Sequence, residues 1–269
     1  MGIELPFTTL EMTGAFLLVF FRMTGLVIAA PLFSNQSFPM TLRVWFAFML
    51  AAVMFPIAWN YLPSGALLAK LQHPWLSILA VGGEFAIGWI IGWAASVMIW
   101  AAQLAGHLVG QEIGMSIGEV FDPISQTQSS ALSQLFFTFA LLLFVILGGH
   151  HLVVMSVSQS FEAAPIGTFP IGAGTGKFLA QELGSDLWVM GVKTALPTMF
   201  ALIFVTVAMA ILARTVPEMN IFMIGFTLRI IFGLLALIVV LPFVADLFQS
   251  FLVNTQLNLE RLLEMWEGG

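Results

Sequence analysis

Six stretches of this chain are each long and apolar enough to cross a lipid bilayer: residues 14–33, 44–61, 75–102, 131–156, 187–212 and 230–251. A spanning helix needs about 20 mostly apolar residues to cross a hydrocarbon layer roughly 30 Å thick. Inside lipid every backbone N–H and C=O has to be satisfied within the segment itself, so such stretches fold as helices. The runs are continuous and do not alternate apolar with polar, which excludes a membrane β-barrel. The expected fold class is all-α: membrane-associated helical hairpins built from about six long apolar helices.

Composition narrows the function classes. Of 269 residues, 60% are apolar and 8% charged, against about 25% charged in an ordinary soluble domain. There is too little polar surface to cover a soluble globule. A net charge of −6 gives no electrostatic footprint for nucleic acid. The absence of cysteine excludes disulfides, thiolate zinc sites and cysteine nucleophiles. The opening residues Met1 to Pro6 carry no positive charge, so a cleaved signal peptide is not expected. Nor does Gly2 sit in a myristoylation pattern.

The connectors differ in character. Residues 34–43 and 62–74 are short and proline-marked, 103–130 is long, polar and glycine-rich, 161–186 is a Gly/Pro loop and 215–229 is short. Residues 254–269 place Leu257, Leu259, Leu262, Leu263 and Trp266 on an acidic background, the pattern of a surface helix. One domain over 1–269 is expected, made of apolar helices (1–102), a polar glycine-rich loop (103–130), further apolar helices (131–253) and the terminal helix (254–269). Orientation is undecided by the positive-inside rule: Arg43, Arg214 and Arg229 fall on one side, and Lys70, Lys177 and Arg261 on the other. An internal similarity links Pro31, Thr41-Leu42-Arg43, Phe46, Val53 and Pro56 to Pro217, Thr227-Leu228-Arg229, Phe232, Val239 and Pro242 at identical spacing. It suggests two similar hairpins in which an arginine starts the second helix.

Charged groups inside the apolar runs are the first functional candidates. An ionised group near the bilayer centre costs at least about 2.5–3.5 kcal/mol. Arg22, Glu84 and Lys193 therefore have to face protein or water and be paired. Three such groups on three helices, without a chain of carboxylates, fit structural pairing between helices or subunits better than an ion path.

The glycine ladder carries more. Gly106, Gly110, Gly114 and Gly118 recur every fourth residue, after Gly88 and Gly92 at the same spacing. On a helix this makes a ridge without side chains that admits another backbone. Yet residues 103–122 also carry Gln103, His107, Gln111, Glu112, Ser116, Glu119 and Asp122. The run is too polar to span, and each glycine costs a helix about 1 kcal/mol relative to alanine. A flexible polar loop between apolar helices is tolerated at membrane depth only inside protein or beside a water-filled cavity. A re-entrant gate or plug is expected, with Asp122-Pro123 restarting a helix. Met115 within it suits a deformable seal.

Other motifs carry less. Gly114-Met115-Ser116-Ile117-Gly118 matches G-x-S-x-G, but no strand precedes it as a nucleophile elbow requires. His150 and His151 are adjacent and expected on different sides of a helix, toward its far end and not opposite Ser116. No metal, dinucleotide or phosphate-binding motif is present in the sequence, and no cofactor is expected.

Taken in order, Arg22-x-x-Gly25, Pro31, Pro39, Arg43, Pro56, Gly83-Glu84, Gly88, Gly92, Gln103, Gly106, Gly110-Gln111, Gly114, Asp122-Pro123, Gly148-Gly149-His150, Ser160-Phe161 and Pro165-x-Gly167 resemble the FliR family of flagellar export-gate proteins. The most specific run is Arg214-x-x-Pro217-x-Met219-Asn220-Ile221-Phe222-x-x-Gly225-Phe226. Glu218 stands where the family often has glutamine, and residues 206–210 depart from its usual Asn and Gly.

The resemblance implies a non-enzymatic subunit that joins FliP and FliQ in a helical pore complex, the core of the type III export gate. Unfolded flagellar subunits would cross the bacterial inner membrane through it, at the flagellar basal body, with FlhB at the entrance and FlhA adjoining. It also implies that the loop between the third and fourth apolar segments plugs the pore, carried here by Gly110, Gln111, Glu112, Ile113, Gly114 and Met115 and their flanks, Gly106 and Gly118. Injectisome use, a self-contained transporter using Arg22, Glu84 and Lys193, and a serine hydrolase using Ser116 are the alternatives.

Overall fold

The computed structural model describes residues 9–33, 39–62, 73–115, 131–168, 170, 172–215 and 221–268. Among these, all regular structure is helical: α1 (Thr9–Ala29), α2 (Met40–Asn60), α3 (Pro74–Ile113), α4 (Ala131–Ile146), α5 (Gly149–Ala163), α6 (Ala173–Lys177), a π-helical turn (Phe178–Leu183), α7 (Gly184–Thr215) and α8 (Ile221–Glu267). Among the described residues five helices are long and apolar enough to cross a membrane, or six if α4 and α5, separated by a short break, count as one span. The break is at Gly148, whose φ of 80° lies in the left-handed region that glycine enters without strain.

Helical structure extends beyond the expected boundaries in three places. The loop expected from residue 103 begins eleven residues later, because α3 continues to Ile113. The Gly/Pro loop expected over 161–186 is mostly helical, with α5 reaching Ala163 and helix resuming at Ala173. The last span and the terminal helix are one helix of 47 residues. Its early start also places Arg229 well inside α8, whereas Arg43 lies in the first turn of α2.

Two compact units share the chain: residues 1–96, 148–183 and 254–269 form one, and 97–147 with 184–253 the other. In the first, α1 and α2 make a hairpin in which Phe16 meets Phe48 and Phe55 edge-on, with ring centroids 5.5 and 5.6 Å apart. Small residues bury the inner face of α2, at Ala47, Ala51 and Ala58, and Trp45, Met49 and Val53 stay exposed.

Against α1 runs the first half of α3, and here the backbones touch. A Cβ on Gly88 would overlap the carbonyl oxygen of Arg22, and one on Gly25 would overlap that of Phe85. A Cβ on Gly92 would stand 2.8 Å from the Leu26 carbonyl oxygen. Ser96 Oγ donates to the Ala29 carbonyl at 2.7 Å one turn further on.

The terminal stretch of α8 belongs to the same unit. Leu259, Leu262, Leu263 and Trp266 follow i, i+3, i+4, i+7 spacing and are all buried, while Glu260, Arg261 and Glu264 on the other face are exposed. Trp266 Nε1 donates to Thr175 Oγ1 at 3.3 Å, and Arg261 lies 3.8 Å from Glu182. The amphipathic face thus packs on the α6 and π-turn segment.

The second unit packs the end of α3 with α4, α7 and the main part of α8. Its core joins Ala105, Val109, Ile113, Leu132, Phe136, Ala195, Leu202 and Leu237.

Candidate functional site

Within the first unit, Arg22 and Glu84 meet although 62 positions apart. Arg22 Nε donates to Glu84 Oε2 at 2.6 Å, and neither side chain is exposed. The remaining guanidinium nitrogens reach main chain: Nη1 donates to the Ser160 carbonyl at 2.9 Å and to Ser160 Oγ at 3.0 Å, and Nη2 to the Ala164 carbonyl at 2.8 Å. The guanidinium lies 4.3 Å over the Phe161 ring. The second carboxylate oxygen of Glu84 accepts the backbone N–H of Gly167 at 2.8 Å. Gly167 has a φ of 80°, the conformation that turns this N–H inward.

A buried ion pair stands against desolvation only when its other donors and acceptors are also satisfied. Here the polar groups come from the end of α5 and the turn after it. The node closes around its own hydrogen bonds and joins α1, α3 and the 160–167 segment. Ser160, Ala164 and Gly167 were not foreseen as partners; Ala164 and Gly167 contribute main chain alone, which carries no side-chain signal, and Ser160 adds its hydroxyl to its carbonyl.

Lys193 is not part of this node. It is exposed on α7, among the exposed side chains of Val189, Val192 and Leu196. No ion pair holds it among the described residues.

The glycine-rich segment belongs to the second unit, and its described part is the end of a helix. Gly106 is buried where α3 passes α4; a Cβ there would stand 2.7 Å from the Leu132 carbonyl oxygen. Gly110 is buried too, whereas Gln111, Glu112 and His107 face outward, with the Gln111 amide 3.1 Å from the His107 ring nitrogen. Ile113 is wholly buried.

The helix then stops at Gly114, whose φ is 92°. Gly114 N–H donates to the Gln111 carbonyl and Met115 N–H to the Gly110 carbonyl, both at 3.0 Å. Those two bonds are the 5→2 and 6→1 pair of a Schellman cap, which satisfies the last carbonyls of the helix. Met115 is half-buried against the core. The ladder therefore serves two purposes: Gly106 lets a helix approach, and Gly114 ends its own helix. Gly118, Ser116 and Asp122-Pro123 lie outside the described residues.

His150 and His151 do not diverge as expected. They start α5 with ring centroids 4.1 Å apart. Among the described residues no group of three or more His, Asp or Glu side chains is placed to hold a metal.

Residues 13–255 match the family described as bacterial export proteins, family 1. The flagellar biosynthetic protein FliR of Bacillus subtilis is 30% identical over 233 residues, covering 86% of this chain and 87% of that protein. FliR of Escherichia coli is 28% identical over 226 residues, covering 83% of each. The secretion system apparatus protein SsaT of Salmonella typhimurium is 27% identical over 173 residues, covering 64% of this chain and 66% of its own length. The match thus covers most of the length, and the chain belongs to the bacterial export proteins of family 1, the family of FliR.

Proposed function

We propose that this chain is a non-enzymatic subunit of a flagellar type III export gate. With FliP and FliQ it forms a pore through which unfolded flagellar subunits cross the inner membrane, and FlhB and FlhA adjoin it. The chain from Gly114 onward closes the resting pore as a plug, and Gly106–Ile113 is its anchored root. Passage is steric: substrates are admitted by width and not by sequence.

The observation that carries this reading is helix length combined with exposed apolar surface. The helical path Gly174–Thr215 has 42 residues and α8 has 47, which is about 63 and 70 Å at 1.5 Å per residue. A hydrocarbon layer of roughly 30 Å covers less than half of either. Yet Trp188, Phe200, Phe204 and Ile211 on α7, and Ile231, Ile238, Val239 and Phe243 on α8, are exposed. Surface of that kind needs neighbouring protein subunits as well as lipid. Lys193, a cation exposed within that surface, fits a subunit contact better than hydrocarbon.

Flagellar use is favoured over a virulence-type secretion system because the similarity to FliR proteins covers more of the chain than the similarity to SsaT. A self-contained transporter would need Arg22 and Glu84 free to meet a substrate, and both are engaged with each other and with main chain.

Deleting residues 114–119 tests the plug while leaving Ile113 in its core. In membranes holding the assembled gate, the deletion is expected to admit small ions without abolishing assembly. An assembled deletion variant that stays ion-tight and exports normally contradicts the plug.

A further inference from the structure

Pro197 lies inside α7 and Pro242 inside α8. Proline has no N–H to give the carbonyl four residues back, so the Lys193 and Ile238 carbonyls lack the donor a regular helix supplies. The register of the two helices brings these positions together. Arg229 Nη2 donates to Thr206 Oγ1 at 3.3 Å, a Cβ on Gly225 would meet Met209 Cε at 3.4 Å, and one on Gly233 would meet Leu202 Cδ2 at 3.4 Å. Followed on from Gly233 and Leu202 in the same antiparallel sense, five residues lead to Ile238 and Pro197, and nine to Pro242 and Lys193. Each proline thus stands level with the carbonyl that the other leaves without its donor.

Thr198, the residue after Pro197, is buried, and its hydroxyl has no partner among the described residues. Other threonines of α7 show the ordinary alternative: Thr194 Oγ1 donates to the Met190 carbonyl at 2.8 Å, and Thr206 Oγ1 to the Leu202 carbonyl at 3.0 Å. Valine would fill the same volume as Thr198 without the cost of a buried, unpaired donor. Thr198 also borders free space. With Leu135, Phe136 and Phe139 of α4 and Leu241 and Val244 of α8 it lines a small cavity of about 10 Å³, and it is the polar residue of that lining. In helices within membranes, threonine side chains are among the groups that satisfy carbonyls released by proline.

We infer that α7 and α8 bend as a pair at the level of Pro197 and Pro242, into the cavity beside α4, and that in the bent form the Thr198 hydroxyl donates to a carbonyl that a proline has released. The straight form keeps helix regularity and leaves the hydroxyl idle; the bent form gives up regularity and satisfies it. Two prolines at one level let both helices turn together while the Arg229–Thr206 bond holds them to each other. The hinge goes beyond the export-gate reading and does not rest on it. In a gate it lets the wall change width without parting its helices.

The test is amide hydrogen exchange on the full chain in mild detergent with its partner subunits, read over residues 198–201 and 243–246, which follow the two prolines. Pro197→Ala restores one helix hydrogen bond and is expected to slow exchange about fivefold in both segments, the one on α8 included. Pro242→Ala does the same from the other side, and the double variant adds little to either alone. Thr198→Val keeps the shape, removes the donor that favours bending, and slows both segments as well. Pro56→Ala, inside α2, leaves both at the wild-type rate.

Two unconnected prolines answer differently: a Pro197→Ala chain in which only 198–201 slows overturns the shared hinge. Wild-type exchange in both segments after Thr198→Val overturns the bent form. If a proline variant does not accumulate, Thr198→Val, with both prolines kept, decides by the same readout. If the chain purifies without partners, the same comparison on the free chain tests the hinge, so failure of the gate reading leaves it standing.

Discussion

At the scale of single residues, the chain's few charges do most to define it. Arg22 and Glu84 are too expensive to leave alone in apolar surroundings, which the sequence makes plain. That they meet each other, and that Ser160, Ala164 and Gly167 complete the node, is not legible, because two of the three contribute only backbone atoms. Removing one partner of a buried pair leaves an uncompensated charge, at a cost of about 3–5 kcal/mol. Glu84→Gln is therefore expected to lower the thermal unfolding midpoint of the detergent-solubilised protein strongly; an unchanged midpoint contradicts the pairing. Lys193 is the opposite case, since the sequence placed it in a helix and asked for a partner, and none is present among the described residues. Lys193→Glu is expected to leave the isolated chain folded and to lose co-purification with partner subunits. Retained co-purification removes Lys193 from the interface.

At the scale of elements, glycine is read wrongly when each is charged its full helix penalty. Charged that way, residues 103–113 read as a loop, yet they are the last turns of α3. In α3 the penalty at Gly106 is offset by backbone contact with α4, and at Gly88 by backbone contact with α1. Spacing alone does not distinguish a glycine that lets a neighbour in from one that ends a helix; Gly114 shares the four-residue period with Gly106 and does the second. Gly88→Ala forces α1 and α3 apart and is expected to destabilise the first unit by about 1–3 kcal/mol. Circular dichroism on heating should register this as an earlier loss of helix, and a wild-type melting curve argues against the contact. The terminal stretch of α8 teaches a related point: its leucine pattern declared an apolar face, but a face does not say what covers it. Trp266→Ala should cost about 3–5 kcal/mol if the face is buried as described. A solvent-exposed helix would tolerate the change with no shift in the unfolding transition.

At the scale of the whole molecule, the class of fold was legible and the division of the chain was not. Long apolar runs dictate helices wherever they fall. The two compact units, however, each draw on three or two separate stretches, and α3 and α8 each contribute to both. Contacts between positions over a hundred residues apart leave no local trace in a single sequence, so the sequence yields serial segments and not these units. Helices twice as long as a bilayer is thick, with apolar faces left uncovered, support the proposal that the chain completes itself by assembly.

The most direct measurement is native mass after purification in mild detergent from cells that co-express FliP and FliQ. The expected species is a complex well above the 29.3 kDa of the chain alone, holding both partners. A chain recovered only as a free 29.3 kDa protein, folded and active by itself, would contradict the gate.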